Sequence, residues 1–259
     1  MSEHRVQNAM TPIFFIAGAG LIAGMMNALS GGGSFVTLPA LIAAGVPSVY
    51  ANTTSTVALY PGQLTSSWAY RDGLGPIDPV PLRSLVIVTF IGGAIGAALL
   101  LRTPIKTFDV ILPWLMAIAT VALALGSRLG EMLRRRWRIG VTAVLAVQFC
   151  LGIYGGYFGG GVGIMMMAVW SLLSDRSLKS FNAPRTLMVC AANAIAVLIF
   201  IVARAVYWRE AVVMIVTAML GAYCGSRIGR RAPPGMIRVT TVVLSIGITL
   251  AFFVRAYLK

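Results

Sequence analysis

Residues 27–39 read NALSGGGSFVTLP, and they place three consecutive glycines in a stretch that is otherwise apolar enough to enter a membrane. Glycine costs about 1 kcal/mol relative to alanine in a helix interior. In lipid, an interrupted helix also leaves backbone polar groups that the bilayer cannot satisfy. The run therefore predicts a functional break in a membrane helix.

The composition is that of a membrane protein. Of the 259 residues, 58% are hydrophobic and only 11% are charged, whereas about 25% are charged in an average soluble domain. Apolar runs long enough to cross about 30 Å of hydrocarbon recur along the chain. The first run, 12–29, lacks a small-residue cleavage site and is not a convincing signal peptide. We expect an all-α polytopic membrane protein with little extramembrane mass.

The net charge of +14 does not indicate nucleic-acid binding. The basic residues lie in short loops between apolar spans, where topology and anionic headgroups explain them. The cluster LRRRWR at 133–138 belongs to such a loop. Three cysteines without CxxC spacing and a single histidine, His4, cannot be assembled into a metal cluster or a hydrolase triad. No catalytic residue, metal or cofactor is expected.

The chain divides into ten apolar segments and two related halves. Two segments are too short to span a membrane as helices, and each directly follows a glycine run. A shift of 130 residues aligns Gly31, Gly33 and Asn52 with glycines and an asparagine in the second half. The predicted divisions are an N-terminal tail at 1–11, a first repeat at 12–126, a basic linker at 127–138 and a second repeat at 139–259. The ten segments are 12–29, 34–46, 49–70, 80–101, 107–126, 139–157, 162–173, 184–203, 209–228 and 236–256.

Five crossings in each half would make the repeats inverted. With the N-terminus outside, 14 of the 21 lysine and arginine residues fall inside and 7 outside, as the positive-inside rule requires. A rival topology with eight spans and two re-entrant hairpins gives 12 inside and 9 outside, so the ten-segment topology is favoured.

The glycine runs have two interpretations. Inverted repeats with interrupted helices are a recurring transporter design, because the break exposes helix ends near the bilayer midplane. The free N–H groups at a following helix N-terminus attract anions, so two breaks could face one site. Tight helix packing is the alternative, and it is favoured for the Gly-xxx-Gly pairs at 20–24, 92–96 and 221–225.

The pattern G-xxx-G-x(6)-GGG-x(5)-P, formed by Gly20, Gly24, 31–33 and Pro39 and followed by ANTTS at 51–55, resembles the sulfite exporter TauE/SafE family of bacterial membrane transporters. The second half has a comparable run, GGYFGGGVG at 155–163. The resemblance implies a multi-pass protein of the bacterial cytoplasmic (inner) membrane. It also implies transport of sulfite, organosulfonates or related small anions.

The candidate substrate-binding residues lie at the two breaks and at polar positions in the following spans. Helix capping is an alternative role for Asn52, and interhelical bonding is one for Gln63 and Asn193. Arg185 could bind a sulfonate or carboxylate through its guanidinium, or it could be a snorkelling interfacial arginine. The candidates are Ser30, Gly31, Gly32, Gly33, Ser34, Asn52, Thr53, Ser55, Gln63, Gly160, Gly161, Gly163, Asn182, Arg185 and Asn193.

None of the seven carboxylates lies mid-span. Proton or sodium coupling commonly uses an intramembrane carboxylate, so an anion carrier driven outward by the membrane potential is expected. An anion channel and a non-transporting membrane scaffold are the alternatives; an enzyme is the least favoured class. The expected partners are a small anion and membrane lipid, without nucleic acid, and a homodimer stays open.

Overall fold

The computed structural model describes residues 3–77, 80–134, 140–171, 178–229 and 233–258. In these residues every predicted apolar segment forms an α-helix. The structure is helical without named strands in this part of the chain, and the predicted fold class is confirmed. The helices are α1 (Glu3–Ser30), α2 (Ser34–Ala43), α3 (Ser48–Ala69), α4 (Leu82–Arg102), α5 (Ile105–Arg134), α6 (Val141–Tyr157), α7 (Val162–Trp170), α8 (Asn182–Val202), α9 (Trp208–Gly229) and α10 (Pro234–Tyr257).

The helices differ in their capacity to span a bilayer. Within the described residues, five stretches in α4, α5, α8, α9 and α10 are long and apolar enough to cross a membrane. The two helices that follow the glycine runs contain only 10 and 9 residues, which corresponds to about 15 Å at 1.5 Å per residue. The prediction of two short helices is confirmed, and the number of crossings stays a prediction.

The chain forms two compact units. The first comprises Met1–Gly62, Pro104–Met116 and Arg204–Lys259, and in it α1 packs along α9. The second comprises Gln63–Thr103 and Ala117–Ala203, and in it α4 packs against α6 and α8. Each unit therefore combines helices from both predicted repeats. The division into repeats stays a prediction, because the repeats are defined by matching residues in the two halves of the sequence. The compact units do not test that match.

The Gly-xxx-Gly pairs allow backbones to approach closely. In the first unit, a Cβ on Gly24 would overlap the Ala218 carbonyl group, and one on Gly221 would overlap that of Leu21. In the second unit, a Cβ on Gly96 would overlap the carbonyl of Ile153. The packing interpretation of these pairs is confirmed. In both units, the first helix of one predicted repeat packs on the fourth helix of the other.

Candidate functional site

The first glycine break connects α1 to α2 in the first unit. Gly31 has a φ of +78°, a left-handed conformation that glycine adopts without steric cost. Its N–H donates to the carbonyl of Asn27 at 3.0 Å. A Cβ on Gly33 would lie 2.9 Å from the carbonyl oxygen of Ala23. The triple glycine thus combines a turn that needs positive φ with close packing of the start of α2 against α1.

The second break connects α6 to α7 in the second unit. Gly159 and Gly161 have φ values of +80° and +71°, and Gly161 is the N-cap of α7. The Tyr154 hydroxyl donates to the carbonyl of Gly160 at 3.0 Å, which fixes the turn to the end of α6. Both breaks therefore end one helix and start a short one.

The short helices begin inside the protein without a side-chain cap. Their N-cap residues, Gly33 and Gly161, are buried glycines, which have no side chain to cap the helix. The N-cap residue of α8, Phe181, is also buried and uncapped, whereas those of α4 and α6, Pro81 and Gly140, are uncapped and exposed.

The N–H groups of Phe35, Val36 and Ile164 already donate to backbone carbonyls at 3.0–3.1 Å. The attraction for an anion therefore rests on the positive end of each helix dipole and on the N–H groups that precede these residues.

Polar side chains from α2 and α3 surround the first break. The Thr37 hydroxyl donates to the Gly33 carbonyl at 3.3 Å, and its oxygen lies 2.5 Å from the Ser55 hydroxyl. Asn52, one turn before Ser55, is 2% exposed. The structure therefore brings Asn52 and Ser55 to the same buried region as the break. Thr37, which links Ser55 to the break, was not predicted because a lone threonine in an apolar segment carries no distinguishing signal.

Thr53 and Thr54 connect α3 to the segment between α8 and α9. The Thr53 hydroxyl donates to the carbonyl of Ala205, and the Tyr207 N–H donates to the Thr54 hydroxyl at 3.1 Å. These bonds give Thr53 a structural role. Its role as a substrate contact stays a prediction.

The second break has its own set of polar residues. The side-chain amide of Asn193 donates to Gln63 Oε1 at 2.7 Å, so α3 and α8 are joined as the interhelical alternative expected. The stem of Arg185 packs on α7, since a Cβ on Gly163 would lie 3.0 Å from its Cγ. Arg185 itself is half-buried. Within the second unit, Arg185 therefore lies against α7, and Asn193 lies beside Gly159 and holds Gln63 of α3.

A cavity of about 370 Å³ adjoins the start of α8. It includes Asn182, the first residue of α8, and ends one residue before Arg185. The carboxylates of Asp78 and Asp175 lie outside the described residues. The cavity is large enough for a small anion, and its wall includes the N-terminus of α8 but not Arg185. Its lining residues are Tyr70, Gly73, Gly75, Pro76, Ile77, Ser180, Phe181, Asn182, Ala183 and Pro184.

The structure divides the predicted site residues between the units. Of those whose side chains the structure describes, seven lie in the first unit and seven in the second; the side chain of Ser30 is not among the described ones. The prediction that the two breaks face one site stays a prediction. The first set is Gly31, Gly32, Gly33, Ser34, Asn52, Thr53 and Ser55, and the second is Gln63, Gly160, Gly161, Gly163, Asn182, Arg185 and Asn193.

A buried hydrogen-bonded triad fixes the end of α7. Gln148 Nε2 donates to the Thr89 hydroxyl at 2.7 Å, and the indole N–H of Trp170 donates to Gln148 Oε1 at 3.1 Å. All three side chains are fully buried. Sequence reasoning missed the triad, although a single glutamine in the apolar stretch 141–157 was a signal that it needs partners.

Replacing Gln148 by leucine should lower the free energy of unfolding by about 1–2 kcal/mol, because the Trp170 N–H loses its acceptor in an apolar interior. The measurement is the midpoint of thermal unfolding of the purified protein in detergent. Val147→Leu, at the exposed neighbouring position on the same helix, is the control. Equal midpoints for the two variants would contradict the structural role of the triad.

An all-α multi-pass chain with short helices that follow glycine breaks is an arrangement found among membrane transporters. Residues 16–252 match the family described as Sulfite exporter TauE/SafE. The chain therefore belongs to the TauE/SafE family, and it is a membrane transporter of the bacterial inner membrane.

The chain is similar to several curated proteins over nearly its whole length. A probable membrane transporter protein of Escherichia coli, YfcA, is 29% identical over 234 residues, which is 90% of this chain and 85% of that protein. A probable membrane transporter protein of Haemophilus influenzae is 26% identical, with 89% and 90% covered. One from a Sinorhizobium species, ORF9, is 26% identical, with 91% and 90% covered. No solved structure matches the chain significantly.

Proposed function

We propose that the protein is a secondary transporter, and not an enzyme, that exports a small anion across the cytoplasmic membrane. The substrate class is sulfite, an organosulfonate or a related sulfur or carboxylate anion. The observation that carries the proposal is the pair of buried, uncapped helix N-termini, at α2 and α7, which directly follow the glycine breaks. The family description supports the substrate class.

Each break offers chemistry that suits an anion. At the first break, the N–H groups at the start of α2 provide donors, and Asn52 and Ser55 lie in the same region. At the second break, the start of α7 provides donors, and the half-buried Arg185 packs on the same helix. A guanidinium can bind a sulfonate or carboxylate through two parallel hydrogen bonds. Substrate specificity would then depend on the geometry of the oxyanion group.

The membrane potential can supply the driving force. Moving one negative charge outward across an inside-negative membrane releases about 2.3 kcal/mol per 100 mV. The seven carboxylates all lie outside the middle of the predicted spans, so no side chain of the usual proton-carrying type is placed there. We therefore propose transport without obligatory proton coupling.

The test is anion flux in proteoliposomes under an imposed potential, with sulfite, sulfate, sulfoacetate, taurine and simple carboxylates compared. We expect potential-driven flux of one anion class at carrier rates, and no flux driven by a pH jump alone. Conductance steps in a planar bilayer would indicate a channel instead. Absence of flux for every anion, from well-folded protein that no anion stabilises thermally, would contradict the proposal and favour a scaffold.

A further inference from the structure

An unpaired oxygen lies beside the second break. Asn193 is 3% exposed, and its Nδ2 donates to Gln63 Oε1 at 2.7 Å. Its other amide atom, Oδ1, is buried and has no hydrogen-bond partner in the described part of the chain. Buried polar atoms in folded proteins are paired with few exceptions. This exception lies at a helix interruption, where a ligand can supply the missing partner.

A second oxygen points to the same place. In a continuing helix the Gly159 N–H would donate to the Gly155 carbonyl, but it donates to the Tyr154 carbonyl at 3.2 Å instead. The Gly155 oxygen lies 3.3 Å from the position that a Cβ on Gly159 would occupy, and Asn193 Oδ1 lies 3.7 Å from that position. Two acceptor oxygens therefore flank the space beside Gly159. This space stays open because Gly159, at positive φ, has no side chain.

The chemistry of this point favours a cation. Both oxygens accept hydrogen bonds and carry partial negative charge, and the C-terminal end of α6 adds the negative end of its dipole. Neutral amide and carbonyl oxygens are hard ligands, which suit alkali cations and not the soft metals bound by thiolates. Calcium sites usually include carboxylates as well, and neither Asn193 nor Gly155 supplies one.

We propose that a small monovalent cation of the sodium class binds at the second break, between Asn193 Oδ1 and the Gly155 carbonyl. Interrupted helices in other transporters coordinate sodium through unwound carbonyls and helix C-terminal ends. The site differs from the proposed anion contacts, which lie at the start of α7 and at Arg185. The ion site stands on this geometry alone, and only its link to transport rests on the proposed function.

The cation has a direct consequence for transport. The anion-binding end of α7 begins at Val162, three residues after Gly159, so the bound cation would offset part of the substrate's charge. A cation that stays bound while the anion crosses would leave the proposed potential-driven export in place. Intramembrane carboxylates are the usual sequence sign of cation coupling, and a site made of an amide and a backbone carbonyl leaves no such sign.

The first experiment measures thermal unfolding of the purified full chain at constant ionic strength in sodium, potassium or N-methylglucamine chloride. We expect sodium or potassium at about ten times its dissociation constant to raise the unfolding midpoint by about 3 °C. Asn193→Ala should abolish the rise, whereas Asn193→Asp should enlarge it and shift it to lower cation concentrations. Cys190→Ala, a buried position one turn earlier on α8, should keep it.

Three results would overturn the proposal. One is equal midpoints in all three salts, which is expected if the Asn193 amide is turned to donate to Gly155. Another is an unchanged cation response in Asn193→Ala, with the same rise in midpoint at the same cation concentration. If Asn193→Ala does not fold, the same unchanged response in Asn193→Asp would overturn the proposal. The third is stabilisation by taurine, but not by isethionate or sodium, which would assign the oxygens to a substrate's ammonium group. Because these are binding measurements, they remain decisive even if no anion flux is found.

Discussion

Replacing Gly24 by alanine should prevent normal packing of α1 against α9 and lower the midpoint of thermal unfolding in detergent by about 10 °C. A Cβ at this position would overlap the carbonyl oxygen, the carbonyl carbon and the Cα of Ala218. Because all three are backbone atoms, no side-chain rotation can relieve the overlap, and the helices must separate. Overpacking of this kind costs about 3 kcal/mol, and for a chain of this size each kcal/mol corresponds to about 2–4 °C.

Gly18 provides a matched control on the same helix. A Cβ on Gly18 would meet no atom within 4 Å, so Gly18→Ala should be neutral or slightly stabilising through its better helix propensity. If Gly24→Ala proved as stable as Gly18→Ala, the close approach of α1 and α9 would be wrong. The same comparison at Gly96, which approaches Ile153, would test the corresponding pair in the second unit.

The sequence predicted the elements of this fold well because membrane constraints are strong. The glycine runs located the starts of α2 and α7 to within a residue, since few other residues permit positive φ at Gly31, Gly159 and Gly161. The exchange of helices between the repeats was not predicted. It depends on which surfaces pair, and Gly24 and Gly221 indicate a close contact without identifying the partner.

The sequence predicted contacts in the candidate sites only for residues at matching positions in the two repeats. Gln63 and Asn193 occupy matching repeat positions, and they do contact each other in the second unit. Thr37 and Gln148 were missed because their importance arises from partners distant in sequence, at Ser55 and Trp170. Hydrogen-bond partners of this kind depend on tertiary packing, which periodicity and composition do not encode.

Arg185 is the side chain whose replacement should affect transport most. If its guanidinium binds the substrate's oxyanion group, Arg185→Ala should lower anion flux in proteoliposomes at least tenfold. That factor corresponds to about 1.4 kcal/mol, and hydrogen bonds to charged groups contribute about 1.5–3 kcal/mol. Arg185→Lys should give an intermediate flux, because lysine keeps the charge but loses the planar fork.

A snorkelling role for Arg185 predicts a different result. An arginine that only anchors α8 at the membrane surface should tolerate lysine fully, and its replacement should affect all anions equally. Arg83, an exposed arginine at the start of α4, is the control whose replacement by alanine should leave flux unchanged. Two observations favour substrate binding: Arg185 is half-buried, and its stem packs 3.0 Å from the Cβ position of Gly163 in α7. Wild-type flux in Arg185→Ala would exclude it and would leave the N–H groups of the two breaks as the anion's contacts.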